Sequence, residues 1–309
     1  MAVVLLLAAG SGCSVRRFAV NQVGDAIASS PSVYESDEDI ELVGGSLPFG
    51  LKLIEGLLQE SPKHRGMLLT ACQGFVLYSY GYVDYEVEVA AERDLDRARE
   101  LRMRARRLYL RAFRFGIRGL ETSYEDFGDR LAVDPLAAVR VVSNKKRKRK
   151  DVEFLYWTAA ALGLAVSVSR NDAAMLARLP EVEAMIDRAM QLDEAWDDGA
   201  LHAFQVQLAG TKPGGTDYDA IKRHFERAQE LSQGHNASLY LAYLEAVSIP
   251  QQNRAEFLSL VDKALAVDPD RQPDQRLITL LAHRRARWLR EHVDDLILEE
   301  EPARSGGDE

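Results

Sequence analysis

The sequence predicts an all-α protein, with cryptic tetratricopeptide-like helical-hairpin repeats in one solenoid-like or bundled array. Three observations carry that prediction. Ala, Leu, Arg and Glu dominate long stretches, while 21 glycines and 10 prolines in 309 residues are too few for a loop-rich β protein. Apolar residues recur at helical spacing, as at Leu101, Ala105, Leu108, Ala112 and Phe115, in steps of 4, 3, 4 and 3. A short pattern, apolar-x-[Arg/Lys]-Ala-x-x-apolar, also returns at Tyr109–Phe115, Ile186–Leu192, Phe225–Leu231 and Val261–Val267. Its alanines, Ala112, Ala189, Ala228 and Ala264, lie 77, 39 and 36 residues apart. The last two intervals are near the roughly 34-residue tetratricopeptide unit, and the first is about twice that period. In such a unit the small alanine lets one helix press against its partner.

Composition narrows the function classes. Hydrophobic residues at 47% and charged residues at 28% suit a chain with a real core, and exclude wholesale disorder, a collagen-like fibre and a multi-span membrane protein. Lys+Arg 39 against Asp+Glu 48 leaves a net charge of −9, a poor basis for general nucleic-acid binding through phosphates. The two cysteines, Cys13 and Cys72, exclude a disulfide scaffold and a Cys-only metal site.

The elements follow in order. Val3–Ala9 is an apolar run too short to span a bilayer but long enough for a signal-peptide hydrophobic region. The small residues Gly10-Ser-Gly before Cys13 resemble a bacterial lipobox. Residues 1–12 are therefore expected to be a truncated signal peptide with lipobox, and Cys13 the lipid attachment site. Ser14 favours outer-membrane delivery, and a buried N-terminal strand or helix is the alternative. Residues 13–300 form the expected helical repeat domain and 301–309 a disordered tail.

Within the domain, Val15–Asp25 reads as an amphipathic helix with Val15, Phe18, Ala19 and Val23 on its apolar side. Ser36-Asp-Glu-Asp39 is turn and cap material, and Ser61-Pro62 ends the apolar segment Leu47–Leu58. Met67–Val83 lacks a polar stripe, so it should lie between neighbouring helices with Cys72 as an inert core thiol. Ten arginines in Arg93–Arg118 sit mostly off the apolar stripe and predict a solvated face with pairs of the Glu100/Arg104 type. The basic run Asn144–Lys150 reads as a solvated loop between helices, with a weak anionic-lipid contact as the alternative. Phe154–Val168 predicts a buried central helix whose Ala159–Ala161, Gly163 and Ala165 permit close approach. Gly210–Thr216 reads as a connector, since no Gly-Lys-Ser/Thr ending or preceding strand supports a phosphate loop.

Templates for catalysis are missing. The six histidines show no metal-ligand spacing, and neither a Gly-x-Ser-x-Gly elbow nor a dinucleotide fingerprint is present. No enzyme, cofactor or metal is expected. A ligand path is a different matter. Tyr78, Tyr80, Tyr82 and Tyr156, with Trp157, are polar-tipped aromatics on the two most apolar segments, and Trp196, Asp197, Asp198 and His202 follow a repeat helix. Such side chains line small-molecule sites because one end is apolar and the other hydrogen-bonds. A partly hydrophobic groove or channel is expected at Tyr78, Tyr82, Tyr156, Trp157, Trp196 and His202, with a solid core as the alternative.

Several segments resemble a known family. They are the lipobox, Arg16-Arg-Phe-Ala-Val-Asn21, Ser46-Leu-Pro-Phe-Gly-Leu-Lys-Leu-Ile-Glu55, Leu68-Leu-Thr-Ala-Cys-Gln-Gly-Phe75, Leu155-Tyr-Trp-Thr-Ala-Ala-Ala161, Leu192-Asp-Glu-Ala-Trp-Asp-Asp-Gly-Ala-Leu-His202 and Arg284-Arg-Ala-Arg-Trp-Leu289. Together they resemble the T-component lipoproteins of tripartite ATP-independent periplasmic (TRAP) transporters, over about residues 13–298. The resemblance implies a non-enzymatic accessory, tethered by lipid in the periplasm, that associates with the transporter's solute-binding protein. That partner captures organic acids or other small solutes and passes them to the permease. Self-association into a homo-oligomer would extend the groove. A general periplasmic repeat scaffold for envelope assembly is the alternative, and periodicity alone supports only a helical interaction scaffold.

Overall fold

Asp39 shows how the first core helix begins. Its carboxylate accepts from the backbone N–H groups of Glu41 and Leu42, satisfying two of the donors that a helix start leaves open. In the computed structural model the described residues are 3–29, 33–142, 148–210 and 216–298, with side chains described from 15 in the first stretch and from 151 in the third. Every regular element among them is helical. The chain runs α1 (Val3–Ser29), α2 (Ile40–Glu60), α3 (Arg65–Tyr78), α4 (Asp84–Ala91), α5 (Leu95–Glu121), α6 (Phe127–Val133), α7 (Pro135–Arg140) and α8 (Lys148–Ser167). It continues through α9 (Ala173–Leu176), α10 (Leu179–Asp193), α11 (Ala200–Ala209), α12 (Tyr218–Leu231), α13 (Ala237–Tyr243), α14 (Arg254–Leu265), α15 (Arg276–Glu291) and α16 (Val293–Leu296).

Two apolar clusters form the core. The first joins α2, α3, α5, α8 and α10, and the second joins α12 to α16. Helix α11 feeds both, with Leu201, Phe204 and Leu208 in the first and Val206 in the second. Helix α8 is central, as its composition predicts: Phe154, Leu155, Ala159, Ala161, Leu162, Ala165 and Val166 are all buried. It sits so close to α5 that the ring of Phe154 occupies the space a side chain on Gly119 would need. Helix α3 lies among α1, α2, α5 and α8, and burial pushes the Cys72 thiol pKa up. The four recurring alanines, Ala112, Ala189, Ala228 and Ala264, are 0, 0, 1 and 0% exposed. Each is a buried helix residue.

Two expectations change in detail. The apolar side assigned to the first helix faces outward, with Val15, Phe18 and Val23 all exposed. The opposite side, through Val20 and Ile27, packs on the core, because Asn21 is drawn to the corner between α2 and α3: Ser61 Oγ–H donates to Asn21 Oδ1 at 2.6 Å and His64 Nε2 reaches the Asn21 carbonyl at 3.3 Å. Polar contacts therefore set the rotation of α1. The arginines of α5 are also less free than a solvated face requires. Arg97–Glu100 and Arg99–Asp96 are surface pairs, but Arg104 donates to Tyr78 Oη, Arg106 pairs with Asp172, Arg111 with Glu55, and Arg118 donates to the Pro62 carbonyl.

The long penultimate helix returns to the start of the chain. Leu277 N–H donates to the Glu35 carbonyl at 2.9 Å, and Trp288 Nε1–H donates to Glu92 Oε1 at 2.8 Å. Helix α15 thus runs back along α2 and α4. Among the described residues no helix is long and apolar enough to cross a membrane. The Cys13 side chain, Asn144–Arg147 of the basic run, Thr211–Gly215 of the connector and the tail from 301 onward lie outside the described residues, as do the side chains of Lys148–Lys150.

Candidate functional site

The six predicted ligand residues fall into three groups. Tyr156, Trp157 and Trp196 come together: the Tyr156 ring meets Trp157 edge-on at 5.1 Å between centroids, Trp196 at 4.8 Å and Phe204 at 6.0 Å. All three predicted residues stay half-buried. Burial, with Asp197 and Tyr80 close by, pushes the Tyr156 phenol up. Asp197 also faces Glu35, whose carboxyl is pushed up to about 7 by burial first and then by Asp274, Asp197 and Glu153. The aromatic group is therefore edged by carboxylates.

The turn that places Trp196 has a physical reading. Asp197, Asp198 and Gly199 stand at φ 49°, 51° and 89°, three left-handed residues in succession. Glycine takes that conformation without cost and aspartate tolerates it better than most residues. Gly199 also lies against Leu231 and the Ala228 backbone, where an added Cβ would come within 3.0 Å and 3.2 Å. The Trp-Asp-Asp-Gly sequence thus reverses the chain tightly between α10 and α11 and docks it on α12.

His202 forms the second group. It is 6% exposed, with Nδ1 2.8 Å from His224 Nδ1 and Nε2 3.1 Å from Glu194 Oε1. Arg227 and His202 hold the Glu194 carboxyl below its ordinary range. His224 on α12 is the other member of this pair. Tyr78 and Tyr82 form the third group, stacked at 5.8 Å. Tyr82 is buried with its hydroxyl donating to the Ile40 carbonyl at 2.8 Å, and Tyr78 Oη accepts from Arg104 at 3.0 Å. Both tips are committed to neighbouring helices.

A fourth group was not read from the sequence. Arg285 on α15 pairs with Glu88 on α4 and lies 3.1 Å from Glu245 Oε1. Asp84 stands beside it, accepting through Oδ2 from the Tyr109 hydroxyl, and Tyr80 contacts the same guanidinium. Burial pushes Asp84 up to about 7 against the pull of Tyr109 and Arg285, and raises Glu88 and Tyr80 as well. Burial works against the Arg285 charge, yet Glu245 and Glu88 outweigh it and hold its pKa well up. The sequence singles out Tyr80 by its polar tip, and no local signal sets the charged members apart. Among the described residues no set of three or more His, Cys, Asp or Glu side chains is arranged to hold a metal ion.

Packed helices, with aromatic and charged clusters at their junctions, make this an all-α protein among the described residues. The particular family is also clear. Residues 36–297 match the TRAP transporter T-component family, and the chain belongs to it. It is also 29% identical over 306 residues to a protein of Treponema pallidum (strain Nichols), described as uncharacterized, with 94% of each chain covered.

Proposed function

We propose that this chain is a periplasmic accessory lipoprotein that associates with the solute-binding protein of a TRAP transporter and assists small-solute uptake. The family match over residues 36–297 carries the reading. Its helices form tetratricopeptide-like hairpins, a view supported by the burial of all four recurring alanines. Such arrays serve as binding surfaces rather than reaction centres. Cys13 is the lipid anchor, with the outer membrane favoured over the inner.

The half-buried Tyr156–Trp157–Trp196 group, edged by Asp197 and Glu35, is the best-supported part of a ligand groove. Tyr78, Tyr82 and His202 contribute less directly, because their polar atoms already have protein partners. Self-association extends the groove across copies. The test is capture of a purified TRAP solute-binding protein from the same organism. An envelope scaffold would retain several unrelated partners instead, and no dependence on solute.

A further inference from the structure

Helix α1 turns its apolar side away from the rest of the protein. Val15, Phe18 and Val23 are 66, 65 and 49% exposed, and Ala19, Gln22 and Ala26, which share that side at helical spacing, are exposed too. None of the six is charged. The rotation is fixed from the opposite side. Ser61 and His64 hold Asn21, Val20 and Ile27 pack on the core, and Gly24 lies so close to His64 and Met67 that an added Cβ would come within 2.9 Å of each. Turning the apolar side inward would break all of these contacts.

The size, place and charge of this face point to what covers it. Val15 to Ala26 makes a strip about 18 Å long and about 10 Å wide, so its face covers roughly 180 Å². That is far below the roughly 800 Å² that each partner buries in a stable protein–protein interface. The strip begins two residues after Cys13. Its first turn carries the exposed Arg16 and Arg17, and among the described residues Arg17 has no ion pair. Asp25 is the one acidic residue from 15 to 29, and it stands toward the far end, 3.3 Å from His64 Nε2. A narrow apolar strip, basic at one end, is the pattern of a helix that lies in a membrane surface.

We propose that α1 lies in the plane of an anionic lipid bilayer, with Val15, Phe18 and Val23 seated among the acyl chains and Arg16 and Arg17 against lipid phosphates. Such helices bury their apolar face about 5–10 Å deep, at the boundary between headgroups and chains. Helix α1 packs on α2 and α3, so seating it fixes how the helical domain stands on the membrane. The lipid tether alone leaves that orientation free. The placement at a bilayer rests on the Cys13 anchor of the proposed function; the affinity of the face for lipid does not.

Vesicle flotation separates the two. The probe is the chain from residue 13 onward, the mature protein of that reading, carrying Cys13→Ser so that no acyl chain is attached. Vesicles of phosphatidylethanolamine and phosphatidylglycerol should retain it, and more strongly than vesicles of uncharged phosphatidylcholine. Phe18→Ser should weaken retention by at least about tenfold, the factor expected when a phenylalanine leaves an apolar environment. Leu298→Ser, at a position at least as exposed on the other core cluster, should leave retention unchanged. Circular dichroism checks that each variant is folded. No retention of the Cys13→Ser chain, equal retention by phosphatidylcholine, or retention unchanged in a folded Phe18→Ser variant would each overturn the proposal. An oligomer in sedimentation velocity that Phe18→Ser dissociates would assign the face to a second copy and overturn it as well. Loss of this inference with the solute-binding protein still captured leaves the proposed function standing, and Phe18-dependent retention without capture leaves only the membrane face.

Discussion

His202 and His224 face each other through their Nδ1 atoms at 2.8 Å. A proton must lie between two nitrogens at that distance, so one ring donates and the other accepts. His202 Nε2 meets Glu194 Oε1, and Arg227 Nε donates to the same oxygen at 3.0 Å. This chain of contacts ties α11 to α12 directly beneath the left-handed Trp-Asp-Asp-Gly turn.

Replacing the buried member of that chain should cost most. His202→Leu removes both imidazole contacts and leaves His224 Nδ1 without this partner, which predicts a loss of about 1–3 kcal/mol in urea unfolding. Glu194 is 49% exposed, so Glu194→Gln should cost less than about 1 kcal/mol. Equal losses from the two would mean that the carboxylate, not the imidazole pair, holds the junction.

The turn itself is testable at Gly199. Gly199→Ala forces a side chain into φ 89° and against Leu231, predicting about 1–3 kcal/mol of destabilisation. Asp198→Gly relieves a left-handed aspartate and should be neutral or stabilising by up to about 1 kcal/mol. Thermal melts of the two variants should therefore move apart. Similar melting temperatures would contradict the backbone geometry.

Asp84 predicts a pH dependence of definite sign. Its folded pKa of about 7 lies above the ordinary value of 3.8, so the folded chain holds this proton longer than the unfolded one. The carboxyl costs nothing below about pH 4, where both states are protonated. Its penalty grows as pH rises and is complete just above about pH 7. Asp84→Asn should then be more stable than wild type by roughly 1–3 kcal/mol near pH 8, with the gap closing toward pH 4. A gap that widens on acidification would reverse the assignment.

Several of these features are legible in the sequence because their causes are local. Asp39 as a cap, Ser61 as the end of α2, the buried α8 and the recurring alanines all follow from spacing within one helix or turn. The charged cluster is not legible that way. Glu88 and Arg285 are 197 positions apart, and each resembles a solvated helix residue until α15 folds back onto α4. A π-helical turn, Ser79–Val83, also interrupts a segment, Met67–Val83, that reads from its composition as one helix. The same limit applied to α1, where Asn21 and His64, not the apolar count, decide which side turns inward. The aromatic candidates were legible as residue types, but which of them kept an open face depended on partners such as Ile40 and Arg104.

Lipid attachment is tested at Cys13. Cys13→Ala should move the protein from the detergent phase to the aqueous phase, because acyl chains supply membrane affinity at about 0.8 kcal/mol per buried CH₂. Unchanged partitioning would reject the anchor while leaving the helical domain as described.

Association with the solute-binding protein is the central claim, and sedimentation velocity on the two purified proteins at low salt tests it most directly. The account predicts a saturable complex of fixed stoichiometry that forms with a TRAP solute-binding protein of the same organism and not with an unrelated binding protein. Two independently sedimenting species at concentrations up to about 100 μM, corresponding to binding weaker than about −5.5 kcal/mol, would contradict it.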